Sequence, residues 1–338
     1  DLYNLIIKKF GNSKNKKHMN IVVCPNNYFT MPCTVLLCSL LENNRDVNYI
    51  MIHVLVDGTF QERNKNIIKE QISRYRNASV HFYCIKEDWL KGISIGEASL
   101  VQIPIVTFFR LFMSEIFPEE VEKVLYLDSD MIVRKSLKGL YQTNLENKAV
   151  AAVIDTFNYK IDIYNNLRYK PALGYFNAGM LLVNLKYWRE HNVLGRCIDF
   201  IKNYPERMKY LDQDVLNYVL CEEKIFVPLT YNAQTSFFLK TPPISWELDE
   251  ELEELVKDPC IIHYVGSYKP WQKEYNLPHP YKADFFKYQL LTCWANSPLM
   301  KSTKKISNRE KVKSLFCHIL QKIGILSAPR NTNPFRTI

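Results

Sequence analysis

Short apolar runs alternate with segments of three-to-four-residue periodicity along much of this chain. Met19 to Cys24, Tyr49 to Val56 and Val80 to Ile85 read as strands, with Cys33 to Leu41 and Phe60 to Tyr75 as the helices between them. That alternation predicts βαβ units around a mostly parallel sheet, an α/β fold. Farther on, Thr107 to Phe117 has a helical pattern, Val124 to Leu127 forms a buried strand, and Val150 to Ile154 is another that ends at Asp155. Phe176-Asn177-Ala178-Gly179 runs into an extended apolar stretch, Met180 to Asn184, where the small residues permit close approach of backbone or ligand. Tyr187 to Tyr204 and Asp212 to Leu220 are expected helices, and Ile225 to Pro228 and Cys260 to Tyr264 late strands. The charged stretch Glu247 to Lys257 reads as a short solvated helix, and no repeat of solenoid or propeller spacing is present.

With 338 residues, 47% of them hydrophobic, the chain can bury one large core, with or without a smaller lobe. Nine cysteines are scattered without paired C-x-x-C spacing, and Cys24, Cys33 and Cys38 lie in apolar surroundings. They read as small buried hydrophobes in a reducing compartment. No apolar run is long enough to cross a bilayer, and no secretory signal opens the chain.

The net charge of +9 is unevenly distributed: residues 1–18 carry +4 and residues 301–338 carry +8, leaving −3 for the body between them. A nucleic-acid-binding surface on the body is therefore not expected. The polar, lysine-rich segment 1–18 reads as a basic leader or an expression-derived addition, with Met19 as the natural start. In the carboxyl extension, residues 285–338, Leu315, Phe316, Ile319, Leu320 and Ile323 repeat at helical spacing beside Lys311, Lys313 and Lys322. Such a helix would lie on an anionic membrane surface or pack on the domain.

The chemistry concentrates at Tyr126-Leu127-Asp128-Ser129-Asp130. Two carboxylates one residue apart emerge at the carboxyl end of a strand, the edge where open α/β sheets bind ligands. Two hard oxygen donors there suit a divalent cation that neutralises a diphosphate, or else mark a solvated turn. Neither a G-x-G-x-x-G after the first strand nor a G-x-x-x-x-G-K-[ST] is present, which weighs against a dinucleotide dehydrogenase or P-loop nucleotidase.

A second motif, His263-Tyr264-Val265-Gly266-Ser267-Tyr268-Lys269-Pro270-Trp271, completes an ordered set with Asn27-Tyr28, Arg110, Asp128-x-Asp130, Asn177-Ala178-Gly179, Asp212-Gln213-Asp214 and Tyr231-Asn232. Through these the chain, from about Asn20 to about Tyr281, resembles the retaining sugar-nucleotide glycosyltransferases of family 8, which include bacterial lipopolysaccharide galactosyl- and glucosyltransferases and glycogenin. The resemblance implies a single GT-A-like domain over residues 19–284 with a mostly parallel central sheet and a small carboxyl-terminal helical extension. It implies Mn²⁺ (or Mg²⁺) held by Asp128, Asp130 and His263. UDP-galactose or UDP-glucose would be the donor, contacted by Asn27, Tyr28, Arg110, Asp128, Gly266 and Lys269. Asp212, Gln213, Asp155 and Asn177 would face the sugars at the reaction centre.

The expected acceptor is an oligosaccharide or lipid-linked saccharide, above all a lipopolysaccharide or lipooligosaccharide core. That would place the enzyme in the cytoplasm, peripheral on the inner membrane. A protein or polysaccharide acceptor, or a non-catalytic binding module on the same scaffold, are the alternatives. Two departures stand out. Where the family often has an acidic residue facing uracil, this chain has Cys24-Pro25-Asn26-Asn27, and Gln102 stands where some members place an acceptor-site histidine. Lys86 to Gln102 reads as a lid, an acceptor loop or a plain surface connection.

Overall fold

A computed structural model describes residues 18–86, 89, 105–266, 269–273 and 279–302. The expectations for the leader, for most of the Lys86–Gln102 segment, for Ser267 and Tyr268, and for the amphipathic tail fall outside those residues.

A seven-stranded sheet runs in the order β3-β2-β1-β4-β7-β6-β8. Its strands are β1 (Met19–Val23), β2 (Ile50–Val56), β3 (Ala78–Cys84), β4 (Lys123–Leu127), β6 (Val150–Ile154), β7 (Phe176–Asn184) and β8 (Lys224–Phe226). The first four spatial neighbours pair in parallel, β7 is antiparallel to both β4 and β6, and β8 is parallel to β6. The expected α/β architecture with a mostly parallel sheet is therefore present. Alternate residues feed two cores: Ile21, Val23, Leu125 and Leu127 on one face, Val22, Val124 and Tyr126 on the other. Burial on both faces explains why these strands read as continuous apolar runs.

A second, three-stranded sheet orders β5 (Met131–Val133), β10 (Ile261–His263) and β9 (Ala233–Gln234). The Asp-x-Asp segment is the link between the sheets, since it leaves β4 and enters β5 directly. β1 lies between β2 and β4: the strands step outward from β1 through β2 to β3, and the next strand in the chain, β4, lies on the opposite side of β1. Such a reversal opens a crevice beyond the carboxyl ends of the strands.

Several local expectations change. The expected Tyr187–Tyr204 helix is two helices, Leu185–Glu190 and Val193–Asn203, separated where Asn192 adopts a left-handed conformation at φ 46° and caps the second through its side chain. Thr107 to Phe117 is mostly 3₁₀, Ile105–Phe112, followed by one α turn, Met113–Ile116. The Asp249–Lys257 helix is not merely solvated, because Leu252, Leu255 and Val256 are buried. The Lys282–Gln289 helix crosses the expected 284/285 boundary and buries Phe285 and Tyr288 in the main core, where the Tyr288 hydroxyl accepts from Asn43 Nδ2 at 2.7 Å.

Candidate metal centre and active site

The crevice contains a cavity of ≈ 480 Å³, large enough for a drug-sized ligand. Its centre is built by strand register. Leu127 pairs with Met180, and the next amide, Asp128 N–H, donates to the Gly179 carbonyl at 2.8 Å. In the small sheet, His263 pairs with Met131, and Tyr264 N–H donates to the Asp130 carbonyl at 3.0 Å. The two sheets thus bring together side chains more than 130 residues apart. Ligand atoms of Asp128, Asp130 and His263 all lie within 4.8 Å of one another.

His263 Nε2 stands 3.2 Å from Asp130 Oδ1 and 3.8 Å from Asp128 Oδ2. Asp128 Oδ1 accepts from the Tyr126 hydroxyl at 2.6 Å and from the Arg110 guanidinium at 2.9 Å. Asp130 Oδ2 accepts from Lys269 Nζ at 2.6 Å, and the same ammonium donates to the Tyr264 carbonyl at 2.6 Å. Burial pushes the Asp130 carboxyl pKa upward, but Lys269 and His263 outweigh it and hold the group well below its ordinary range. Two carboxylates and one imidazole, mixed oxygen and nitrogen donors, fit a divalent ion of the Mn²⁺ or Mg²⁺ kind.

Gly179 makes this closeness feasible. A Cβ there would collide with His263 Cε1 and reach 2.9 Å from both Asp128 Oδ2 and Asn177 Oδ1. Small size, foreseen for this stretch from the sequence, is required by side chains meeting over a bare backbone.

The other end of the cavity is made of amides and carboxyls. The register of β6 against β7 slips between Ala152 and Val153, so Val153 pairs with Asn177 and the chain delivers Asp155 beside it. Asn177 Nδ2 donates to Asp155 Oδ2 at 2.8 Å, and Gln213 Nε2 donates to the same oxygen at 3.2 Å and to the Tyr175 hydroxyl at 3.1 Å. Gln213 Oε1 accepts from Ala178 N–H at 3.0 Å. Leu211, at φ 51° and ψ −125°, precedes the Asp212–Val219 helix, a strained backbone position of the kind found where geometry is dictated by a site. The turn places Asp212 and Gln213 at the cavity wall.

Arg110, only 6% exposed, bridges the ends. It pairs with Asp128, donates to the Ala178 and Thr107 carbonyls, lies 4.3 Å from the centre of the Tyr126 ring, and sits with Nε 3.0 Å from Asp212 Oδ2. Burial raises the Asp212 carboxyl to about 7, with Arg110 pulling the other way. Burial likewise raises Asp155, against the hydrogen bond from Asn177.

The remaining expected contacts are arranged differently. Asn27 and Tyr28 do not line the cavity; Cys24, Asn26 and Phe29 do. Asn27 instead ties its loop to the next one, donating to the Thr59 carbonyl at 2.9 Å and accepting from Gln61 N–H and Asn64 Nδ2. The Tyr28 hydroxyl donates to the Lys301 carbonyl at 2.8 Å and accepts from Gln272 Nε2. Gly266 lines the cavity with φ 113° and open space beside its Cα, whereas the Lys269 ammonium is held back against Asp130. The sequence did not single out Phe29, Tyr210 or the supporting role of Asn232; Asn26 stood in the Cys24-Pro25-Asn26-Asn27 stretch expected near the base, and Asn232 in the Tyr231-Asn232 pair.

Comparison with known proteins agrees with this architecture. A family model described as glycosyl transferase family 8 matches residues 20–275. A Haemophilus influenzae protein provisionally described as a glycosyltransferase is 31% identical over 265 residues, 76% of this chain and 74% of its own. Lipopolysaccharide 1,3-galactosyltransferase of Salmonella typhimurium is 26% identical over 295 residues, covering 85% of this chain and 82% of its own. Among solved structures, an active-site mutant of LgtC superposes with a TM-score of 0.69 at 26% identity, over 80% of this chain and 95% of that one.

Proposed function

This chain belongs to glycosyl transferase family 8, and from that membership we propose that it moves galactose or glucose from a UDP-sugar to a saccharide hydroxyl, dependent on a divalent cation and with retention at the anomeric carbon. That it is a hexose-transferring glycosyltransferase of GT-A fold follows from the family and its relatives. The observation that carries the finer reading is the convergence of Asp128, Asp130 and His263 at the crevice.

These three residues would hold Mn²⁺ or Mg²⁺, which when bound offsets charge on the diphosphate leaving group. Arg110 and Lys269 already match the two aspartates, so the cation and the diphosphate are best accommodated together, as a pair that neutralises itself. Asn26 and Phe29, in the turn that follows β1, form the wall suited to the nucleobase. The amide end, with Asp155, Asn177, Asp212 and Gln213, is suited to sugar hydroxyls.

Gln213 is an uncharged amide with both side-chain atoms engaged, a poor nucleophile. Transfer from the same face fits better than double displacement. The acceptor oxygen bonds to the anomeric carbon as the phosphate oxygen leaves, and that phosphate oxygen takes the acceptor's proton. The separation rule for paired carboxylates in glycoside hydrolysis does not apply to this arrangement.

Relatives described as lipopolysaccharide glucosyl- and galactosyltransferases support a lipopolysaccharide or lipooligosaccharide core as acceptor. No helix among the described residues is long and apolar enough to cross a membrane. Peripheral contact through the basic, amphipathic segment near residues 311–323 would bring the enzyme to a lipid-linked acceptor at the cytoplasmic face. The test is a screen of UDP-sugars with Mn²⁺ against defined core oligosaccharides, with linkage and anomeric configuration of the product determined by NMR. A retained anomeric configuration and loss of transfer on chelation are expected. Metal-independent UDP-sugar binding without transfer to any acceptor would overturn the reading in favour of a binding module.

A further inference from the structure

Behind the metal centre lies a buried hydrogen-bond chain whose members belong to four separate segments. His263 Nδ1 is 2.9 Å from Asn232 Oδ1, Asn232 Nδ2 is 2.9 Å from Asn177 Oδ1, and Asn177 Nδ2 is 2.8 Å from Asp155 Oδ2. Asn232 is fully buried, and His263, Asn177 and Asp155 are between 3% and 6% exposed. Water therefore has little access to satisfy any member that turns the wrong way.

Asn and His orientations are ordinarily ambiguous, because the two ends of each side chain look alike. Here a backbone group decides. Gly179 N–H can only donate, and it donates to Asn177 Oδ1 at 3.0 Å. Asn177 must then present Nδ2 to Asp155 and Oδ1 to Asn232. Asn232 must in turn spend Nδ2 on Asn177, which leaves only Oδ1, an acceptor, facing His263. An acceptor requires a donor, so His263 carries its hydrogen on Nδ1. Nε2, the nitrogen facing Asp128 and Asp130, is then the one whose lone pair a cation held between those carboxylates would take. In the opposite tautomer, two acceptors would face each other in a buried site, at a cost comparable to losing a hydrogen bond.

We infer that Asn232 is a positioning residue for the cation site: through this relay from Gly179 and Asn177 it fixes the tautomer and ring orientation of His263, reserving Nε2 for ligation. The relay also ends on Asp155, so the ligand of the metal end and a carboxyl of the sugar end share one set of hydrogen bonds. Outer-shell partners of ligating histidines typically change metal affinity by roughly 10–100-fold when lost. The inference rests on the proposed cation-binding role of His263, and its test separates the two.

In metal-free protein labelled with ¹⁵N-histidine, long-range ¹H–¹⁵N spectra, with His263 assigned by its absence in His263→Gln, should show Nδ1 bearing the hydrogen. Asn232→Leu, close in size but without an acceptor, should lose that preference and bind Mn²⁺ roughly 10–100-fold more weakly by EPR titration in the presence of UDP. Asn232→Asp keeps the acceptor for Nδ1–H but gives up the donation to Asn177, so it should restore the tautomer and bind Mn²⁺ more tightly than Asn232→Leu, which a purely structural role would not do. A His263 with no hydrogen on Nδ1 in the unmodified protein overturns the relay, as does Asn232→Leu with unchanged tautomer and affinity, or Asn232→Asp with the tautomer of Asn232→Leu. If Asn232→Leu fails to fold, the tautomers of the unmodified protein and of Asn232→Asp decide. The expected tautomer with no Mn²⁺ binding in any variant would instead sink the cation reading while leaving the relay standing.

Discussion

The two ends of the cavity solve electrostatics in opposite ways. At the Asp128–Asp130–His263 end, full charges sit against full charges: Arg110 beside Asp128, Lys269 beside Asp130. There the Asp130 carboxyl is held low. At the Asp155–Asn177–Gln213 end the carboxyl is surrounded by neutral amides, and burial raises it. A charged diphosphate can enter the first end together with a cation, whereas around Asp155 the second offers amide donors and acceptors for hydroxyl groups. One cavity can therefore bind a highly charged leaving group and a neutral sugar side by side.

Breaking the charged end should have the largest effect. Asp130→Asn keeps the volume but removes a ligand and the partner of Lys269; transfer at saturating donor should fall by roughly 10³-fold, several kcal/mol of lost charge stabilisation, while far-UV dichroism stays native. Near-normal turnover of the folded variant would remove its assigned role. Gly179→Ala attacks the seam between the ends, because the new methyl group strikes His263 and approaches Asp128 and Asn177. Mn²⁺ affinity and turnover should both drop, by about 10–100-fold, which titration and steady-state kinetics would measure.

Gln213→Ala isolates the amide end: kcat should fall on the order of 10²-fold with Mn²⁺ affinity unchanged, and a parallel loss of Mn²⁺ binding would merge the two regions into one. The smallest effect is on stability. The Asp212 carboxyl, raised from 3.8 to about 7 by burial despite Arg110, contributes stability that is present below the unfolded value of 3.8 and is lost as pH rises through about 7. Denaturant unfolding of donor-free protein should show Asn at position 212 (Asp212→Asn) gaining on the unmodified chain by roughly 1 kcal/mol or more between pH 4 and 7.5. A constant gap across that range would assign Asp212 an ordinary pKa.

Much of the fold could be read along the chain, because β1, β2, β4 and β6 are buried on both faces and advertise themselves as unbroken apolar runs. The antiparallel direction of β7 could not be, since a strand buried on both faces reads the same either way. Nor could the split at Asn192, where a side-chain cap and one left-handed residue interrupt a helical periodicity that the apolar pattern carries through. At the site, Asp128, Asp130, His263, Asn177 and Gln213 were legible as motifs. Phe29 was not, and which of the adjacent Asn26 and Asn27 faces the cavity was not either, because a polar residue and an aromatic after a first strand look the same whether they face a ligand or a neighbouring loop; Asn27 faces the loop.

By itself, the order of residues determined the class of fold and the chemical types at the centre: hard oxygen donors at a strand end and an imidazole far downstream. Only the tertiary structure decided which atoms meet. Whether His263 reaches Asp130 depends on the register of β10 against β5, and which of its nitrogens must donate to Asn232 depends on a backbone N–H of β7 acting through Asn177 and Asn232. Those are long-range pairings, fixed by packing between sheets rather than by any local preference of the residues that make them.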